Sequence, residues 1–212
     1  MKVGILWDLD GTLLDTLQDL ADGVNHALGT FGYPQRSLAE VRRFVGNGAR
    51  NLINQAVPEG ADPEPVFREF ARFYAANCQI RTKPYAGIPE VLARLGEKYP
   101  MAIVSNKPDN AVKPLCAQYF PGLFALGERP GCPRKPAPDM VKLAMTEIGA
   151  DACVYVGDSE VDVVTAKNAG AKCLSVLWGF RDRDEIQAMG GAHFCEKVDE
   201  LEEKLEKLIH GK

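Results

Sequence analysis

Val3-Gly4-Ile5-Leu6-Trp7-Asp8-Leu9-Asp10-Gly11-Thr12 opens the chain with a short apolar run, then two acids, a glycine and a hydroxyl. An apolar run closed by turn residues reads as a strand buried on both faces. Met101 to Val104, Cys153 to Val156 and Cys173 to Leu177 have the same form, with Leu123 to Leu126 as a candidate fifth strand. Between them lie helical patterns such as Ile88 to Tyr99 and Val161 to Ala169. Buried strands alternating with amphipathic helices specify an α/β fold: a doubly wound, Rossmann-like parallel sheet with helices on both faces.

The stretch from Asp15 to Lys83 differs. Its helical patterns (Leu17 to Phe31, Leu38 to Val45, Ala49 to Ala56, Pro65 to Cys78) are separated by Gly and Pro, with no convincing strand. A helical block between the first strand and the rest of a sheet reads as an insertion. The expected organisation is therefore a core of residues 1–14 and 84–212 with a helical domain, residues 15–83, inserted after the first strand. Val198 to Ile209 reads as a charged amphipathic packing helix.

Composition sets bounds on function. The chain has 212 residues, 46% hydrophobic and 25% charged, which suits a packed globular core. A net charge of −4 and the absence of a Lys/Arg-rich run argue against a nucleic-acid partner. No segment approaches the ~18 apolar residues of a membrane span, and the first apolar run is too short for a signal peptide. A cytoplasmic location is expected. Six scattered cysteines without a CxxC pair read as reduced thiols. No sequence feature chooses between monomer and homodimer.

Polar residues stand where the strands end, the place where open α/β sheets bind ligands. Asp8 and Asp10 are two apart in extended chain and face one crevice. Two crowded carboxylates repel unless a cation joins them or one is protonated. One as metal ligand and nucleophile, the other as proton donor, is one reading; a helix cap followed by an Asp-Gly turn is the other. Ser105-Asn106-Lys107 could hold a phosphoryl oxygen through a hydroxyl and turn N–H groups, or form a plain polar turn. Lys135-Pro136 is expected to start a helix, which puts a cation where the helix dipole disfavours one unless an anion is present. Gly157-Asp158-Ser159-Glu160-Val161-Asp162 contains a capping-box pattern from Ser159 to Asp162, but that leaves Asp158 unexplained. Asp8 and Asp158, with waters and a substrate oxygen, make the oxygen-rich site that Mg2+ prefers.

With these motifs in order, the sequence resembles the haloacid dehalogenase superfamily over nearly its whole length. Asp8-Leu9-Asp10-Gly11-Thr12, Ser105, Lys135-Pro136 and Gly157-Asp158-Ser159-Glu160-Val161-Asp162 match its signatures, and the insertion is similar to its small helical cap. The resemblance implies Asp8 as a nucleophile that becomes an aspartyl phosphate, and Asp10 as general acid and base. It implies Mg2+ held by Asp8, Asp158 and the Asp10 carbonyl, and phosphoryl oxygens held by Ser105, Asn106 and Lys135. Asp162, Thr12 and Ser159 would support them from behind. Asp10 sets the chain apart from the dehalogenases, which lack a carboxylate there.

Phe44-Val45-Gly46-Asn47-Gly48, Ser105-Asn106-Lys107-Pro108 and Val176-Leu177-Trp178-Gly179-Phe180-Arg181 look like segments of phosphoglycolate phosphatases. Gly46, Asn47, Gly48 and Arg50 then become candidates for contact with a small phosphorylated metabolite, Arg50 with its carboxylate. Arg129-Pro130-Gly131-Cys132-Pro133 and Trp7 depart from that pattern. The expected function is Mg2+-dependent phosphomonoester hydrolysis, with phosphoglycolate as the leading substrate. A β-phosphoglucomutase-like transferase or a pyrophosphatase is the alternative, and a silent binding protein a third.

Overall fold

The computed structural model describes residues 2–211. Five parallel strands and a short sixth form one sheet: β1 (Val3–Trp7), β4 (Met101–Pro108), β5 (Phe124–Glu128), β6 (Ala152–Gly157), β7 (Lys172–Val176) and β8 (Phe194–Cys195). Their spatial order is β5-β4-β1-β6-β7-β8, every neighbouring pair parallel. The doubly wound α/β expectation holds. The two-residue side-chain period of a strand sorts the core into two layers. Ile5, Trp7, Ile103, Val154 and Val156 face one layer, with α5 (Ile88–Gly96), α6 (Asp109–Tyr119) and α10 (Leu201–His210) packed on it. Leu6, Ala102, Val104 and Tyr155 face the other, under α7 (Asp139–Ile148) and α8 (Glu160–Asn168).

Four helices, α1 (Leu17–Thr30), α2 (Leu38–Phe44), α3 (Gly48–Ala56) and α4 (Pro63–Asn77), gather around a hydrophobic cluster of their own. Val66, Phe70 and Tyr74 recur every four residues on α4 and bury its inner face. Asp62 caps that helix through the Glu64 N–H (3.0 Å), with Pro63 at its first position. Ser37 and Glu40 form a capping box at the start of α2. The segment joins the sheet through a two-stranded antiparallel pair, β2 (Leu14–Asp15) with β3 (Lys83–Pro84). The buried Asp19 carboxylate pins the return strand by accepting the N–H groups of Arg81 (3.0 Å) and Thr82 (2.9 Å).

Some expectations need correcting. β4 does not stop at Val104 but runs to Pro108, so Ser105, Asn106 and Lys107 are strand residues. β2, β3 and β8 are too short to show a period. Helix α6 carries Pro114 inside it, which hides its helical pattern. Lys135 does not start a helix: α7 begins at Asp139, because Lys135 and Ala137 each precede a proline, whose ring disfavours helical backbone in the residue before it. All six cysteines are free, and five are buried, as expected of reduced core thiols. Among the described residues no helix is long and apolar enough to cross a membrane.

Candidate active site

Adjacent strands β4, β1 and β6 end on the same edge of the sheet, so Ser105, Asp8, Asp10 and Asp158 meet above the centre of the core. Asp8 is fixed by its own N–H, which donates to the Val156 carbonyl (2.8 Å), and by the Leu9 N–H, which donates to Oδ1 (2.7 Å). Lys135 lies under it, 2% exposed, with Nζ 2.9 Å from Asp8 Oδ1, 2.8 Å from Asp162 Oδ1 and 3.0 Å from the Tyr155 hydroxyl. Tyr155 in turn donates to the Val104 carbonyl (2.8 Å). Asp8 Oδ2 has no hydrogen bond among the described residues, and Asp8 lines the cavity: this oxygen is free to react.

Asp158 is buried and caged. Thr12 donates to its Oδ1 (3.1 Å) and the Phe180 N–H to its Oδ2 (2.7 Å). Gly11, at φ 84°, and Gly179 press against it so closely that a Cβ on either would lie 2.4 Å from its side chain. Gly11 also meets the left-handed conformation that favours glycine. Asp162 spends its other oxygen on the Ser159 N–H (3.1 Å) and hydroxyl (2.7 Å), so the capping interaction and the Lys135 contact coexist.

The electrostatics are unbalanced. Burial, and the Asp162 charge beside it, hold the Asp8 carboxyl up to about 7 against the pull of Lys135. Burial, then the charges of Asp162 and Asp8, push Asp158 well above the usual carboxylate range. Burial alone would lower Lys135, but Asp162 and Asp8 outweigh it and keep it firmly charged. Four carboxylates (Asp8, Asp10, Asp158, Asp162) face two ammonium groups (Lys107, Lys135), while Arg181 is committed to Glu160 at 2.9 Å. With all four ionised, two negative charges would be uncompensated, and the raised Asp8 and Asp158 carboxyls are the response to that imbalance. Oxygens of Asp8, Asp158 and Asp162 lie within 4.8 Å of one another; Asp162 is spent on Lys135 and Ser159, so Asp8 and Asp158 are the carboxylates placed to share one hard divalent cation.

A cavity of about 330 Å³ rises from these residues toward the helical segment, where Leu20, Leu52, Phe67, Phe70 and Ala75 give it an apolar wall. Gly46 and Gly48 line it, but Asn47 and Arg50 do not. Arg50 turns outward to an ion pair with Glu64 and stacks over Phe67 (4.2 Å), because α3 presents that face to solvent. Its expected contact with a substrate carboxylate is not made in this arrangement. The Asn106 amide is fully used as a clamp, donating to the carbonyls of Gly46 (3.2 Å) and Lys135 (3.0 Å) and accepting from the Lys135 N–H (2.8 Å). It positions Lys135, and both of its side-chain N–H donors are taken. Ser105 is buried with its hydroxyl accepting from the Lys107 N–H (3.2 Å).

Two residues at the site escaped sequence reasoning although both sit in quoted motifs. Lys107 holds Asp10 Oδ1 at 2.8 Å. Arg181, 6% exposed, donates to the carbonyls of Arg42 (3.0 Å), Arg43 (3.2 Å) and Val45 (2.6 Å) at the C-terminal end of α2, where a cation suits the helix dipole. The signal available was residue type: each is a cation inside a motif quoted for its neighbours, Lys107 within β4 and Arg181 five residues past the end of β7.

Comparison with known proteins bears on the family and the fold. Residues 5–176 match the model of the haloacid dehalogenase-like hydrolases. A phosphoglycolate phosphatase from Pseudomonas fluorescens is 33% identical over 190 residues, spanning 83% of this chain and 70% of the relative. One from Mesorhizobium japonicum is 34% identical over 216 residues, 95% of each. A crystal structure from Lactobacillus delbrueckii subsp. bulgaricus superposes with a TM-score of 0.90 at 34% identity, covering 95% of this chain and 97% of that one. Matched along most of its length and a third identical to relatives that carry the same architecture, the chain belongs to the haloacid dehalogenase-like hydrolase family.

Proposed function

We propose that the protein is a Mg2+-dependent phosphatase that hydrolyses a small phosphomonoester, with phosphoglycolate as its substrate. The observation that carries the reading is the free Asp8 Oδ2, set over a buried lysine and beside an uncompensated carboxylate cage. The names of the relatives support the substrate. Residues 15–83 act as a cap, closing the cavity over the bound ester.

In this reading Asp8 Oδ2 attacks phosphorus, the bond to the ester oxygen breaks, and Asp10 gives that oxygen its proton. Asp10, now a carboxylate, takes a proton from water, whose oxygen attacks the aspartyl phosphate and releases inorganic phosphate, restoring Asp8. Lys135 and the Ser105 hydroxyl hold phosphoryl oxygens, and Asp162 keeps Lys135 aimed. Asp8, Asp158 and the Asp10 carbonyl would hold Mg2+, which when bound supplies positive charge against the phosphoryl oxygens. Thr12 and Ser159 fix Asp158 and Asp162. A cytoplasmic location, and action as monomer or homodimer, go with this reading.

The test is phosphate release with Mg2+ across small phosphomonoesters, glucose phosphates included. A kcat/KM for phosphoglycolate well above the rest is expected. Weak, even activity would remove the substrate assignment and leave the phosphatase, while silence across the panel would remove both. Turnover of a sugar bisphosphate to its isomer would favour the mutase.

A further inference from the structure

Lys107 is an anomaly for a residue on a central strand. Its side chain is 3% exposed, and two atoms occupy its ammonium group: Asp10 Oδ1 at 2.8 Å and the Tyr74 hydroxyl at 2.6 Å. Nζ also stands 4.7 Å from the centre of the Tyr74 ring. Lys107 comes from β4 of the core and Tyr74 from α4 of the cap, so one buried cation joins the cap to the carboxylate assigned as general acid and base. Asp10 has no other side-chain hydrogen bond among the described residues, and its Oδ2 is left free. Fixing Oδ1 from one side orients Oδ2, as a positioned proton donor requires.

We infer that Lys107 is a positioning residue for Asp10, and that Tyr74 makes this positioning depend on the cap. The inference rests on the phosphatase reading and deepens it. When α4 lies over the core, the Tyr74 hydroxyl accepts from Lys107 and the ring covers it, so the ammonium has few other places to go than Asp10. When α4 swings away, Lys107 loses one partner and its cover, and Asp10 loses its fixed orientation. Proton transfer to the leaving oxygen is thereby confined to the closed state. Tyr74 itself is held by stacking on Phe70 (5.1 Å between ring centres), which ties the hydroxyl to the packing of the cap rather than to a mobile loop.

The leaving group separates positioning from structure. An alkyl phosphate such as phosphoglycolate needs a proton on its departing oxygen, whereas p-nitrophenyl phosphate expels a stable anion and does not. The quantity to compare is kcat/KM, which reports only the steps up to transfer onto Asp8 and so excludes the common hydrolysis of the intermediate. With Lys107→Met, kcat/KM for phosphoglycolate should fall by about 10²-fold or more, the usual worth of a positioned acid, and for p-nitrophenyl phosphate by less than about 5-fold. Tyr74→Phe keeps the ring and its stacking and is the variant to rely on if Lys107→Met does not fold; it should give a smaller loss, about 5- to 10-fold, on the alkyl ester alone. Lys107→Arg should restore part of the alkyl activity. Equal losses on both substrates, or none on either, would overturn the inference while leaving the phosphatase intact. A wild-type protein silent toward both esters would overturn the phosphatase reading and the inference with it.

Discussion

Replacing Asp158 by Asn should make the metal-free protein more stable, although it removes a residue assigned to the metal site. Asp158 looks out on Asp8 and Asp162, whose oxygens lie within 4.8 Å, and on one ammonium, Lys135, already shared between those two. Its surroundings therefore carry one net negative charge. At about 5 Å and an effective dielectric near 20, that repulsion is worth about 3 kcal/mol. The carboxamide can keep both hydrogen bonds: its oxygen accepts from the Phe180 N–H, and its NH2 donates to Thr12 Oγ1, since a hydroxyl both donates and accepts. A gain of ~3 kcal/mol in a chain of this size corresponds to a rise in Tm of about 6–12 °C.

The assay is thermal unfolding in EDTA at two pH values. A carboxyl whose folded pKa is raised binds a proton in the folded state that the unfolded chain has already released. Stability is then lost as pH climbs from the ordinary value of 3.8 through the raised one, about 7 for Asp8. The wild type should therefore weaken between about pH 4 and 8.5, and the advantage of Asp158→Asn should be large at the upper value and small at the lower, near the ordinary carboxylate pKa where the unfolded chain also holds its proton. Saturating Mg2+ should raise the wild type and do little for the variant; at a hundred times its Kd a ligand adds about 2.7 kcal/mol. A variant no more stable than wild type in EDTA at the higher pH, or an advantage independent of pH, would refute the charge imbalance and with it the fit to a divalent cation.

Two further outcomes follow from the same geometry. Asp8→Asn should lower turnover by at least about 10³-fold with the circular dichroism spectrum unchanged, since a carboxamide is a poor nucleophile; near-normal phosphate release would refute the covalent route. Arg181→Met strips the carbonyls at the end of α2 and Glu160 of their shared guanidinium. It should cost about 2–4 kcal/mol in urea unfolding and raise KM as the cap loosens, and an unchanged KM with unchanged stability would refute its role as a tie between cap and core.

What the sequence disclosed depended on the range of the interactions. The sheet was legible because a strand buried on both faces needs only its own apolar run, as in Val3 to Trp7 and Cys153 to Val156. The acidic residues were legible because each sits at the end of such a run. The Ser159–Asp162 capping pair was legible because it spans three residues. Partners distant in the chain were not. Lys107 and Asp10 are 97 residues apart, Lys107 and Tyr74 33, Arg181 and the Val45 carbonyl 136, and nothing local to any of them reports the match.

Arg50 and Asn106 show the same limit from the other side. Residue type and motif offered each as a ligand for substrate, but a side chain satisfies whichever partner the fold brings nearest. Glu64, one helix away, takes Arg50, and the backbone of Gly46 and Lys135 takes Asn106. The chemistry of this site is thus written in short motifs, whereas its coupling to the cap is written in pairs that only the folded chain assembles. Substitutions at Asp8 and Asp10 should therefore abolish turnover of phosphoglycolate, and substitutions at Lys107, Tyr74 and Arg181 should change which esters are turned over and how tightly they are held.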